Sequence, residues 1–219
     1  MDTFSARRRL YVIHAAALIA LVGCASGPGG SSGARIDCQP DSWSSAGERD
    51  ALAGAPESRR DAVAAACPSA DMAAYGQGYN TGLRTFCLPA SAYTFGLDGG
   101  QYAFNCPGDL EPGFVYAYGI GYEEFELNEA VREADRNLNR TDRRVRDVRN
   151  EVSRQEQLFN SSTNRSSAEM GRVRTEVSRL QRRLVSLQQE RATNRILLDQ
   201  AQAALKKYRE NRPAIPGVE

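Results

Sequence analysis

The chain has 219 residues, a formal net charge of +1, 41% hydrophobic residues and 25% charged residues. Length and composition indicate one or two ordinary globular domains. The balanced charge excludes a strong electrostatic field that would attract nucleic acid or acidic substrates.

The first 23 residues have the pattern of a bacterial lipoprotein signal peptide. Three arginines at positions 7 to 9 precede an apolar run from Leu10 to Val22. This run of about thirteen residues would be about 20 Å long as a helix, shorter than a bilayer core of about 30 Å. It is therefore typical of an export signal and not of a stable transmembrane helix. The sequence Leu21-Val22-Gly23-Cys24 then matches a lipobox, which predicts cleavage before Cys24 and its modification with diacylglycerol and an acyl chain such as palmitate.

The predicted lipid anchor determines the expected location. Several acyl chains on Cys24 would hold the protein stably at a membrane. Ala25 follows the cysteine, where aspartate often retains enterobacterial lipoproteins in the inner membrane, so by analogy we expect an outer-membrane lipoprotein facing the periplasm. The alternative is a soluble secreted protein, cleaved by a general signal peptidase after small residues such as Ala25 and Ser26. Residues 24–35 are rich in glycine and serine, which predicts a flexible tether.

Histidine and cysteine usage limits the chemistry of the mature protein. The single histidine, His14, lies within the predicted signal peptide. Processing would therefore leave no histidine for a nucleophile-histidine pair or an imidazole zinc site. Four cysteines besides Cys24 predict two disulfides in an oxidising compartment, and three connectivities are possible. Pairing between neighbouring cysteines closes the shorter loops, which favours Cys38–Cys67 with Cys87–Cys106. The cysteines lack the C-x-x-C spacing of a thiolate metal site, so we predict no metal site. We also predict no cofactor and no catalytic residue.

Residues 36–122 form a glycine- and tyrosine-rich region with an internal repeat. Residues 74–79 (Ala-Tyr-Gly-Gln-Gly-Tyr) recur as residues 117–122 (Ala-Tyr-Gly-Ile-Gly-Tyr), each after a Cys-Pro pair. Trp43 and Gly47 form a weaker third copy. Three- and four-residue steps place each aromatic residue and its glycine on one helix face. Glycine in a helix costs about 1 kcal/mol relative to alanine, which indicates close packing against another backbone or ring. A phosphate-binding loop is the alternative, but no complete phosphate-loop motif follows.

The aromatic runs at residues 93–95 and 101–104 flank a glycine-rich turn. They predict either a short β-hairpin or a turn that leads into a helix.

Residues Ala74 to Cys87 carry the pattern Ala-Tyr-x-x-Gly-x-x-x-Gly-Leu-x-x-aromatic-Cys. Together with later positions, this pattern resembles the bacterial lipoprotein family called domain of unknown function 2799, over about residues 38–130. The later positions are Gly96, Gly99, Tyr102, Cys106-Pro107, Phe114, Ala117-Tyr118 and Gly121; the opening positions are Trp43, Gly47, Asp50 and Gly54, with Ala51 where glycine is usual. The resemblance implies an exported, usually lipid-anchored domain and assigns no activity.

Residues 123–212 are predicted to form an antiparallel coiled-coil hairpin, with arms at about 123–159 and 167–210 and a tail at 213–219. Apolar side chains alternate at steps of three and four along each arm. Ser166 and Glu169 supply a capping box for the second arm. Arg191 and Asn194 occupy seam positions, where they either fix the register or mark a weak point. Glu123, Glu124 and Glu126 are interpreted as favourable charges at the start of the first arm.

The first arm contains Arg143, Arg144, Arg146 and Arg149, and the second contains Arg179, Arg182, Arg183 and Arg191. Acidic residues interleave with them, which is typical of a solvated face. Contact of these arginines with lipid headgroups or peptidoglycan is the functional alternative.

The fold class is therefore mainly α, with a small disulfide-bonded domain followed by the hairpin. We expect a non-enzymatic envelope protein whose arms contact a periplasmic protein or another copy, with peptidoglycan as a further candidate and no nucleic acid. The first alternative is a carboxylate-dependent enzyme acting on envelope glycans through Asp50, Asp71, Asp98 or Asp109. The second is a small-ligand pocket lined by Tyr75, Tyr79, Tyr93, Tyr102, Tyr118 and Tyr122, although these tyrosines fit core packing better.

Overall fold

The computed structural model describes residues 36–161 and 166–218. Six helices are assigned within these ranges: α1 (Trp43–Leu52), α2 (Ser58–Ala66), α3 (Met72–Phe86), α4 (Pro89–Leu97), α5 (Glu111–Asn160) and α6 (Ser167–Asn211). The mainly α fold class is thus confirmed. Over the described ranges, the β-structure assigned is an isolated bridge between Ile215 and Val218.

The predicted signal peptide, Cys24 and the tether lie outside the described residues. The aromatic runs around Gly96 do not form a β-hairpin in the structure. The first run lies in α4 and the second in the irregular segment that precedes α5.

Two similar helix pairs make up the first part of the fold. In the first pair α1 packs on α3, and in the second α4 packs on α5. Both α1 and α4 begin within a copy of the sequence Cys-x-Pro-x-Ser-x-x-x-x-Gly, which starts at Cys38 and at Cys87. Both α3 and α5 contain the Ala-Tyr-Gly-x-Gly-Tyr repeat. The molecule therefore contains two copies of one helix pair, with α2 inserted in the first.

Glycines allow the two helices of each pair to approach closely. A Cβ on Gly78 would lie 1.8 Å from the backbone oxygen of Ser44, and one on Gly121 would lie 2.1 Å from the backbone oxygen of Tyr93. These contacts match between the two pairs, because Ser44 and Tyr93 occupy the same position in the Cys-x-Pro motif. The second glycine of each repeat, Gly78 or Gly121, therefore serves backbone packing, and Gly78 is not available for a phosphate-binding loop.

A disulfide closes each helix pair. Cys38 bonds to Cys67 and Cys87 bonds to Cys106, with Cα atoms 5.4 Å and 5.7 Å apart. Both are the pairings that the shorter loops favour. Each bond joins the segment before the first helix of a pair to the segment before the second, and so limits the separation of the two helix starts.

A shared aromatic core joins the two pairs. The ring of Phe86 from α3 lies 5.0 Å from the rings of Phe95 in α4 and Phe114 in α5, measured between centroids. Phe86 and Phe114 are both almost fully buried. The two pairs therefore pack as one unit.

Helix α5 continues without interruption from the second pair into the first arm. It begins at Glu111, so residue 123, the predicted start of the arm, lies inside the helix. Glu123, Glu124 and Glu126 are therefore far from its N-terminus, and the helix-dipole interpretation of this cluster is wrong, because the dipole effect is confined to the first turn. At about 1.5 Å per residue the 50-residue helix is about 75 Å long.

Helix α6 packs antiparallel against α5. Near its C-terminal end, Tyr208 donates a hydrogen bond to the backbone oxygen of Ile120, while farther out Asn194 donates to Thr141. The predicted capping box is present, with Ser166 and Glu169 hydrogen-bonded to each other's backbone N–H. At the described seam positions of both arms the side chains are buried or half-buried, except at Arg191.

No helix among the described residues is both long and apolar enough to cross a bilayer.

Candidate functional site

The end of α6 is attached to the second helix pair through a buried carboxylate. Glu124 of α5 is only 4% exposed. Its Oε1 accepts a hydrogen bond from Nε of Arg209 at 2.7 Å, and its Oε2 accepts one from the hydroxyl of Tyr93 at 2.9 Å. Nη1 of Arg212 lies 3.4 Å from the same Oε2, and its guanidinium carbon lies 4.8 Å from the centroid of the Tyr93 ring. We call these four residues the base junction; it joins α4, α5 and the end of α6.

The electrostatics of the base junction favour an ionised Glu124. Burial acts to raise the pKa of this carboxyl, but hydrogen bonds from Arg209 and Tyr93 and the charges of both arginines outweigh it and hold the pKa below its usual value. Burial and the hydrogen bond to Glu124 raise the pKa of Tyr93, so its hydroxyl remains a donor. A buried carboxylate whose oxygens are fully paired is a fixed structural link, because removal of one partner leaves a buried charge.

A polar layer interrupts the apolar contact between α5 and α6. Thr141, 2% exposed, donates from Oγ1 to Oε1 of Glu190 at 3.0 Å and accepts from Nδ2 of Asn194 at 3.0 Å. Nη1 of Arg144 lies 2.6 Å from the same oxygen of Glu190. Asn194 therefore has a specific partner on the opposite helix, and a shift in register would leave Thr141 without it. This geometry favours the register-fixing interpretation of Asn194.

Arg191, the other polar seam residue, is exposed. Its Nε donates to Oδ1 of Asp142 at 2.5 Å. An exposed ion pair of this kind contributes little to stability.

The outward side of α6, away from α5, carries several exposed apolar side chains among its polar ones. Val185 is 55% exposed, Ile196 is 56% exposed and Leu197 is 50% exposed. Val185, Ala192, Ile196 and Ala203 are separated by steps of seven and four, so they align along the side of α6 opposite its contact with α5. We call these four residues the outer stripe of α6.

The structure does not bring together the four aspartates considered as catalytic. Asp50 accepts hydrogen bonds on Oδ2 from the hydroxyl of Tyr75 at 2.8 Å and from Nε of Arg59 at 3.2 Å. Asp71 caps the N-terminus of α3 by accepting from two backbone N–H groups. Asp98 is the exposed residue that ends α4, and Asp109 lies on the surface, 3.9 Å from Arg84. The four side chains therefore act in separate places.

The six tyrosines considered as a ligand pocket lie in or beside the cores of the two helix pairs. Five of them donate hydrogen bonds to protein acceptors: Tyr75 to Asp50, Tyr79 to the Ala55 oxygen, Tyr93 to Glu124, Tyr102 to Glu111 and Tyr118 to the Gly100 oxygen. Tyr122 stacks on Tyr118, with 5.6 Å between ring centroids. Burial raises the pKa of Tyr75 well above its usual range, and the bond to Asp50 adds to this. All six are therefore packing residues, and the hydroxyl groups of the first five are hydrogen-bonded within the protein.

Over the described ranges there is no group of three or more histidine, cysteine, aspartate or glutamate side chains that could hold a metal ion. The base junction was not predicted from the sequence, because Glu124 and Arg209 are 85 positions apart. The only sequence signal for it was the cluster of glutamates that we assigned to a helix start.

Comparison with known proteins gives one family match, and it lies within the region of the two helix pairs. No curated protein and no solved structure matches the chain. Residues 42–123, which extend from the N-cap of α1 to the residue before Glu124, match the family model described as protein of unknown function (DUF2799), the family that the motifs of this segment resemble.

Proposed function

We propose that the protein is a non-enzymatic lipoprotein of the bacterial cell envelope that acts as a structural or adaptor protein. Acyl chains on Cys24 anchor it, in this proposal, to the outer membrane on the periplasmic side. The two helix pairs lie near the membrane, and α5 and α6 extend from them as an antiparallel coiled coil. The outer stripe of α6 binds a periplasmic partner protein.

The exposed apolar face of α6 is the observation that carries this proposal. On a helix that is already packed along one side, the outward positions are expected to be polar. Val185 and Ile196 are instead more than half exposed. A regular apolar stripe on the free side of a helix is typical of a surface that packs against a further helix.

The attachment of the arms supports the same role. Helix α5 belongs both to the second helix pair and to the arm, and the base junction fixes the end of α6 to that pair. The Thr141–Asn194 contact sets the register of the two helices. The outer stripe is therefore presented in a defined orientation, which suits an adaptor better than a flexible tail.

The partner is tested by placing charge on the outer stripe. We expect the double variant Val185→Glu/Ile196→Glu to lose a partner that the wild-type protein retains on affinity purification from the native host. The matched control, Ser186→Glu/Gln202→Glu, adds the same charge to exposed polar positions on α6 that do not align with the outer stripe, and it should retain the partner. Equal recovery of every partner by both variants would contradict the proposal.

The anchor is tested separately through Cys24. We expect the wild-type protein to incorporate an alkyne-labelled fatty acid and to fractionate with membranes. Cys24→Ser should remove both properties. A protein that stays unlabelled in its wild-type form would instead support the soluble secreted alternative.

A further inference from the structure

The outer part of the hairpin carries an excess of positive charge. We call residues 139–160 of α5 and 166–194 of α6 the distal arms; the hydrogen bond from Asn194 to Thr141 and the ion pair of Arg144 with Glu190 join them. The distal arms contain 12 arginines and 7 acidic residues, whereas residues 36–123 contain 4 arginines and 11 acidic residues. Neither region contains lysine or histidine. The formal charge is therefore +5 on the distal arms and −7 on residues 36–123.

Most arginines of the distal arms have no acidic partner. Four of them lie within 4 Å of a carboxylate, in the pairs Arg144–Glu190, Arg154–Glu151, Arg179–Glu176 and Arg191–Asp142. Among the described residues no carboxylate lies that close to the other eight, which are Arg140, Arg143, Arg146, Arg149, Arg172, Arg174, Arg182 and Arg183. All eight are exposed. Their guanidinium groups therefore present positive charge that no side chain of the molecule neutralises.

The spacing of these arginines does not stabilise the helices. Residues three or four positions apart are neighbours on a helix surface, and like charges there are destabilising. Arg140, Arg143, Arg146 and Arg149 follow one another at steps of three along α5. The contact between α5 and α6 is made by other residues, such as the buried Val145. The folding of the hairpin therefore gives no reason for the row of arginines, which indicates that their charge serves a contact outside the molecule.

The same four arginines surround the exposed side of α5. Each residue of an α-helix advances by about 100°, so a step of three returns by about 60° and the four side chains together cover about 180°. They are centred on the side opposite Val145 and Val148, which are buried against α6. A flat bilayer surface reaches one side of such a rod. An anionic polymer network can instead surround it and pair with arginines in every direction.

Arginine also limits the kind of anion. Its planar guanidinium group donates two parallel hydrogen bonds to a carboxylate or a phosphate, which a lysine ammonium group cannot do. At the proposed periplasmic location, peptidoglycan is a polymer network whose peptide stems carry carboxylates. We propose that the distal arms bind peptidoglycan through ion pairs between their exposed arginines and the carboxylates of the peptide stems.

This inference rests on the proposed location in the envelope, but it needs neither the lipid anchor nor a protein on the outer stripe. Binding to isolated peptidoglycan is measured without either of them. Its failure would leave the tests of Cys24 and of the outer stripe unaffected, and failure of those tests would leave this binding intact.

The test is cosedimentation of the purified chain from residue 24, carrying Cys24→Ser, with isolated peptidoglycan sacculi. We expect saturable binding at about 50 mM NaCl that is lost at about 500 mM, because salt screens exposed charges. The triple variant Arg143→Gln/Arg146→Gln/Arg149→Gln should bind more weakly by about threefold or more, since three exposed ion pairs are lost. Circular dichroism should show that its helix content is unchanged.

Matched controls separate the position of the charge from its amount and test the ligand itself. Arg195→Gln/Lys206→Gln/Lys207→Gln removes the same charge from exposed positions outside the distal arms and should bind as well as the unsubstituted chain. Sacculi whose carboxylates have been converted to neutral amides should not bind. Vesicles that contain phosphatidylglycerol should bind the chain more weakly than native sacculi do.

Four results would each overturn the proposal. The first is no binding to native sacculi, or equal binding by the unsubstituted chain and the Arg143 triple variant. The second is equal binding to native and amidated sacculi, which would exclude the stem carboxylates. The third is tighter binding to the vesicles, which would assign the arginines to lipid headgroups. The fourth is self-association of the chain that the Arg143 triple variant abolishes, which would assign them to the acidic region of another copy.

Discussion

Two glycines in one turn of α5 are predicted to respond to the same substitution in opposite directions. A Cβ on Gly119 would meet nothing within 4 Å, whereas one on Gly121 would lie 2.1 Å from the oxygen of Tyr93 and 2.9 Å from the nitrogen of Leu97. Alanine is favoured over glycine in a helix by about 1 kcal/mol at both positions. Gly119→Ala should therefore raise the free energy of unfolding by about that amount, which corresponds to a melting temperature about 2–4 °C higher.

Gly121→Ala adds a steric cost that exceeds this gain. The overlapping atoms belong to the backbone of α4 and cannot rotate away, so we take the upper end of the usual overpacking cost, about 3 kcal/mol. After the helix-propensity gain, the net loss is about 2 kcal/mol, or about 4–8 °C in melting temperature. Circular dichroism at 222 nm under non-reducing conditions measures both variants. A Gly121→Ala protein as stable as the wild type would refute the close-packing argument for both helix pairs.

Two further predictions concern the base junction and the polar layer. The pKa of Glu124 is lowered in the folded protein, so the contribution of this carboxylate to stability is full above its ordinary pKa of about 4.5 and is lost as the pH falls below that value. Glu124→Gln should therefore flatten the acid side of a plot of unfolding free energy against pH. The control Glu126→Gln, at an exposed position, should leave the curve unchanged. Thr141→Val should cost about 1–3 kcal/mol by leaving Asn194 unpaired, and adding Asn194→Leu should recover part of that loss because both polar partners are then absent. Chemical denaturation of the two single variants and the double variant measures this coupling, and purely additive costs would contradict it.

Features set by neighbouring residues could be predicted from the sequence. The capping box of Ser166 and Glu169 depends on two residues three positions apart, and each disulfide joins two cysteines that are neighbours in the order of the chain. The packing role of Gly78 and Gly121 followed from the cost of glycine within a helix. The repeated Cys-x-Pro-x-Ser segments at Cys38 and Cys87 were also readable, and they would have revealed the two equivalent helix pairs.

Features that depend on distant residues could not be predicted. The base junction requires the end of α6 to return to Glu124, and nothing local to that glutamate indicates its arginine partners. The start of α5 at Glu111 was missed because the change from a glycine-rich to a charged sequence near residue 123 suggested a boundary, whereas the backbone remains helical through it.

The most direct test of the proposed adaptor role is photo-crosslinking in the native host from benzoylphenylalanine placed at Val185 or Ile196, with Arg143 on the exposed side of α5 as the control position. The account predicts a discrete crosslinked band from both α6 positions, containing one protein other than this chain by mass spectrometry, and no such band from Arg143. Crosslinks from α6 only to another copy of the chain, or no crosslink from either position, would contradict a partner bound at the outer stripe.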